Sequence, residues 1–75
     1  MNNTQITNHT KIHVIKDIVD RNNSLTDTMV KVGKFKEKYR IDVIILYIID
    51  RIVGQYKVYT FMNDEWIMID TGDLI

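Results

Sequence analysis

Asp70, Thr71 and Gly72 stand together after an apolar run, "IMIDTGD". When two copies of a chain bring such carboxyls together, the pair can share one proton, because two close carboxylates cannot both ionise. A second set could hold a cation. His9, His13 and Asp17 recur every four residues, and on a helix that spacing puts two imidazoles and a carboxylate along one edge, within reach of one divalent metal. The third set is basic. Lys31, Lys34 and Lys38 recur at helical spacing and Arg40 extends them, a stripe that could contact phosphates.

Each set has a plainer reading. Asp-Thr-Gly is the triplet of the aspartic proteases, and those of retroviral type are small homodimers in which each copy supplies one Asp. They build a substrate cleft after the triplet and carry a small residue behind the glycine, whereas here Asp73, Leu74 and Ile75 follow. A strand end and turn is therefore expected, without protease activity. The histidine set lacks a fourth ligand and His9 precedes the expected helix, so a solvated helix edge is the simpler account. Asp27 and Glu37 dilute the lysines, as on the outer face of an amphipathic helix. With no cysteine there is no thiolate nucleophile, thiolate metal site or disulfide, and no glycine-rich loop could cradle a phosphate. The expectation is a non-enzymatic protein with no cofactor and no metal.

Seventy-five residues make one domain, and a chain of this size buries only about 60% of the surface it exposes when unfolded. Ten acidic and ten basic residues balance, so the whole-chain field steers neither nucleic acid nor anionic membrane strongly. The opening "MNNTQITNHT" lacks the basic and apolar regions of a secretion signal, which leads to an expected cytoplasmic location. No apolar run approaches the ~18 residues of a membrane span. Thirteen isoleucines, abundant Asn and Lys and no proline suggest an AT-rich genome such as that of a phage or mobile element.

The elements that must position these residues are read from periodicity. In "KIHVIKDIVDR", Lys11 to Arg21, a turn of about 100° per residue gathers Ile12, Val14, Ile15, Ile18 and Val19 on one arc. Strand alternation would instead place Lys16 among Ile12, Val14 and Ile18, and Asp17 among Ile15 and Val19. The spacing thus predicts a helix, capped by Thr10 or Asn8, after a mobile stretch over residues 1–9. "RNNS" predicts a turn, and Ser24 with Asp27 forms a capping box ahead of a second helix, Leu25 to Tyr39. An alternative is one long coiled-coil helix, since Ile15, Ile18, Asn22, Leu25, Met29, Val32, Lys36 and Tyr39 follow three-and-four spacing. Three strands are expected next: "DVIILYIID", then "YKVYTFM", then "EWIMID" after a tight turn at Asn63 and Asp64. The predicted class is α+β, two helices followed by a three-stranded antiparallel meander.

Both faces of that meander are apolar. Val43, Ile45, Tyr47 and Ile49 alternate with Ile44, Leu46 and Ile48, and Ile67 and Ile69 alternate with Trp66 and Met68. Two short helices can cover one face but hardly both, which leaves a patch of the kind that marks an interaction surface. The expected partner or oligomer interface is Ile44, Leu46, Ile48, Tyr59, Phe61, Trp66 and Met68, rich in aromatic anchor types. From Leu46 onward, "LYIIDRIVGQYKVYTFMNDEWIMIDTG" resembles the small oligomeric β modules of phage tail and head-fibre proteins, through Tyr47, Asp50, Tyr56, Tyr59, Trp66 and Asp70. That resemblance implies a phage-encoded structural protein in particle assembly that binds itself or another protein. Inhibition of a host protein is the alternative, and nucleic-acid binding through Lys31, Lys34, Lys38 and Arg40 ranks after it.

Overall fold

The structure, a computed structural model, describes residues 10–75; the expected mobile stretch 1–9, with Asn8 and His9, lies outside the described residues. Five elements follow one another: β1 (Ile12–Val19), α1 (Leu25–Tyr39), β2 (Val43–Asp50), β3 (Gln55–Met62) and β4 (Glu65–Asp73). The strands form one sheet in the order β1-β2-β3-β4. β1 runs parallel to β2, and β2, β3 and β4 are antiparallel neighbours.

The expected architecture of two helices before a three-stranded meander is therefore corrected to one helix and a four-stranded mixed sheet, and the long coiled-coil helix is corrected with it. Within the segment from Lys11 to Arg21, Ile12–Val19 is a strand. Its β-branched residues favour extended backbone, and the two polar residues that spoiled strand alternation are accommodated. Asp17 does lie on the same side as Ile15 and Val19, where the Thr28 hydroxyl donates to it at 2.8 Å and the Asn23 amide at 3.3 Å. Lys16 does share the other side with Ile12, Val14 and Ile18. A strand follows Thr10, so the helix cap expected there is corrected too.

The helix itself starts and stops where local chemistry dictates. Ser24 Oγ accepts from the Asp27 backbone N–H at 3.0 Å, and the Asp27 carboxylate accepts from the Ser24 N–H in return, so two otherwise unpaired donors are satisfied. At the other end Arg40 adopts φ 53° and ψ 48°, a left-handed residue that lets the Ile41 N–H return to the Lys36 carbonyl at 3.0 Å. Asn63 and Asp64, at φ 53° and 61°, make the two-residue turn between β3 and β4 that suits the right-handed twist of a hairpin.

α1 lies across β1 and β2. Under it sit Val19, Ile44, Leu46, Ile48 and Tyr59, joined by Val32 and Ile41, with Ile15, Leu25, Met29, Phe35, Phe61 and Trp66 packed around them. Ile44 and Leu46 are 0% exposed, and fully burying one such side chain contributes roughly 2 kcal/mol. One helix is too narrow for four strands. Beyond its edge the aromatic residues of β3 and β4 cover the sheet themselves: the Phe61 and Trp66 rings stack at 4.4 Å and 7°, Tyr59 meets Trp66 edge-on at 6.2 Å, and Lys36 Nζ lies 5.3 Å from the Phe61 ring centre.

Candidate functional site

Strand register places the remaining residues on the other face of the sheet in rows. Val14, Ile45, Thr60 and Ile67 make one row, Lys16, Tyr47, Val58 and Asp70 the next, and Ile18, Ile49, Tyr56 and Gly72 the third. Within this face Val43, Val58 and Thr60 are buried. Around them Val14, Ile18, Tyr47, Ile49 and Ile67 are exposed, Val14 to 53% and Tyr47 to 45%. Among the described residues no element covers this side.

The position of Asp70 in its row depends on an irregularity. Val58 pairs with Asp70 but Tyr59 pairs with Met68, so Ile69 is an extra residue in β4. Simple alternation from Ile67 would turn Asp70 toward the helix side; the bulge turns it to the open side. There its Oδ1 accepts from the Thr71 N–H at 2.9 Å, and the Tyr56 hydroxyl lies 3.5 Å from Oδ2. The Tyr56 ring rests against Gly72 so closely that an added Cβ would come within 2.6 Å of it. Asp-Thr-Gly is thus part of β4, which runs on to Asp73, and the expected strand end at Asp70 is corrected.

The interface residues expected from the sequence divide differently. Ile44, Leu46, Ile48 and Tyr59 are buried beneath α1, and Phe61 and Trp66 are half-buried in their stack. Met68, exposed to 46%, is the member of that set most open to solvent. The open face is the opposite one, carrying the Val43, Ile45, Tyr47, Ile49 series.

The metal and phosphate candidates separate in space. His13 and Asp17 are four residues apart on a strand, about 13 Å, and the His13 ring packs 5.0 Å from Phe35. Among the described residues no group of three His, Cys, Asp or Glu could hold a metal ion. Lys31 reaches toward Asn23 Oδ1 at 3.4 Å and Asp17 at 3.9 Å, and Lys38 lies over the Tyr39 ring at 5.3 Å. Lys34 and Arg40 are exposed at the outer side and end of the helix.

Two carboxylates under the helix side are held ionised by geometry. Burial alone pushes Asp50 up, but the ammonium of Lys57 at 3.2 Å and the backbone N–H groups of Val53 and Ile52 together outweigh it, holding the carboxyl below the usual range. Asp17 behaves alike: burial raises it, and the Thr28 hydroxyl, the Ile18 N–H, the Asn23 amide and Lys31 bring it below its ordinary value. These pairs fasten β1 to α1 and β2 to β3, so their role is structural. No described helix is long and apolar enough to cross a membrane.

No protein-family model, no curated protein and no solved structure matches the chain.

Proposed function

We propose that this chain is a non-enzymatic protein-binding module that works through the open face of its sheet. The observation that carries the reading is the row structure of that face: apolar and aromatic side chains from all four strands that no element covers among the described residues, on a sheet whose other side packs against α1. Large contiguous apolar surface of this kind is uncommon on isolated proteins and marks interaction sites. Phage or mobile-element particle assembly is the setting in which we place it. The Leu46–Gly72 stretch that resembles fibre modules supplies three of the four strands of the face, and it binds a protein partner by packing rather than by charge.

Photo-cross-linking tests this in cells carrying the complete genetic element. A photoreactive residue at Tyr47 is expected to give discrete protein adducts, and one at Lys34 on the outer side of α1 is not. Adducts from Lys34 alone would overturn the reading. Particle assembly further requires that the Tyr47 adduct be found with purified particles; a single adduct with a host protein would favour inhibition instead. Salt-sensitive retention on DNA, lost on changing Lys34 and Lys38 to Glu, would turn the assignment to nucleic acid.

A further inference from the structure

Resting on that reading, we infer that the occupant of the open face is a second copy of the same chain, packed sheet to sheet about a two-fold axis parallel to the strands. The argument begins with the row Lys16, Tyr47, Val58, Asp70. Its centre is neutral and its two ends carry opposite charge, one on each edge strand. A two-fold axis along the strand direction, between β2 and β3, lays β1 of one copy over β4 of the other and keeps every row at its own height. Lys16 then faces the second copy's Asp70, and by symmetry Asp70 faces the second Lys16, while Tyr47 lies over Val58 from both sides. In the adjacent row Val14 meets Ile67. The same face turned about an axis across the strands at the height of this row would set Lys16 against Lys16 and Asp70 against Asp70, like charges in a desolvated contact. Of these two aligned, symmetric ways of stacking the sheets, the charge pattern therefore selects the first.

The area is sufficient. Four strands spaced about 4.8 Å apart and eight residues long at about 3.3 Å each present a flat footprint on the order of 500 Å² per copy. Two such faces reach about 1,000 Å², where specific interfaces begin, before the corrugation of the side chains is included. Aligned sheets packed about 10 Å apart and rotated by about 30° keep the strands near parallel, and at that separation a lysine on one edge reaches a carboxylate on the other.

Sedimentation velocity on the full chain across a dilution series tests the inference. Wild type is expected to run at twice the chain mass. Lys16→Asp and Asp70→Lys, both exposed positions, are each expected to weaken self-association by at least about tenfold, with far-ultraviolet circular dichroism unchanged. Mixing the two variants restores both ion pairs in a heterodimer and is expected to recover the double mass. Single-copy mass for wild type at every concentration overturns the inference, and a double mass that the mixture fails to recover overturns the strand-parallel axis. Neither result touches the open-face reading, which falls only with the Tyr47 and Lys34 adducts. If a charge variant loses its fold, Lys16→Gln and Asp70→Asn replace it, each expected to weaken association and to show no recovery when mixed.

Discussion

Leu46 and Tyr47 are chain neighbours on β2 that meet opposite conditions. Leu46 is fully buried under α1, and Tyr47, one residue on, is 45% exposed on a face that no element covers among the described residues. The same contrast runs across the sheet. On the helix side apolar residues interlock and the polar ones are paired, Asp17 with Thr28 and Asn23, Asp50 with Lys57. On the open side equally apolar residues lie in rows with Lys16 at one margin and the Asp70 and Glu65 carboxylates at the other. Hydrophobicity alone does not tell these faces apart; the arrangement of polar partners does. Folding uses the first face, and the second is the one we propose for association.

The largest effect that should separate the faces is a truncation. Leu46→Ala is expected to lower unfolding free energy by about 3 kcal/mol, from lost burial and the cavity left behind. Tyr47→Ala, measured by urea denaturation at high dilution, should cost about 1 kcal/mol or less. Equal losses would mean that both faces are core. Next comes Lys57→Ala, which leaves the Asp50 carboxylate buried with backbone partners alone; a loss of about 3 kcal/mol is expected, and Thr28→Val, which takes a hydroxyl from Asp17 and Asn23, should lose about 2 kcal/mol.

Acid titration sharpens the same contrast. Asp17 and Asp50 are held below their ordinary values in the folded state, so they contribute stability that is complete above the unfolded carboxyl value near 3.9. It is lost as the pH falls through their lowered folded values. Urea midpoints should therefore fall below about pH 4, and the fall should be shallower in Asp50→Asn. A pH-independent difference between the two proteins would contradict the hydrogen-bond account. The smallest effect belongs to the cap: Ser24→Ala should cost about 1 kcal/mol, read as a lower thermal midpoint without change in the open face.

Much of the fold was legible in the sequence where signals are local. Leu25–Tyr39 is announced by Ser24 and Asp27 at one end and by an apolar stripe along its length. The β2–β3–β4 hairpins are announced by isoleucine-rich alternation and the Asn63–Asp64 turn. β1 is not legible, because nothing near Asp17 in the sequence marks Thr28, eleven residues on, as the hydroxyl that faces it. An accidental 3.6-residue pattern in Ile12, Ile15, Ile18 and Val19 competes there with the β-branched content. Which face stays open was equally hidden, since Leu46 and Tyr47 differ only in which side the single helix chooses. The bulge at Ile69 carries no mark in the sequence, yet it decides that Asp70 shares a row with Lys16.

The parallel pairing of β1 with β2 has a kinetic consequence. β2, β3 and β4 join through turns of a few residues, whereas Lys11 and Asp42 are 31 positions apart along the chain when they bond. Closing that longer loop carries more entropy loss, so the hairpins are expected to zip first and β1 to arrive last, an order that pulsed hydrogen exchange would read from the Leu46 amide, which points to β3, and the Ile15 amide, which points to β2. Lys16 arrives with it, so a chain whose β1 has not yet docked lacks the cation that the proposed pairing of copies requires.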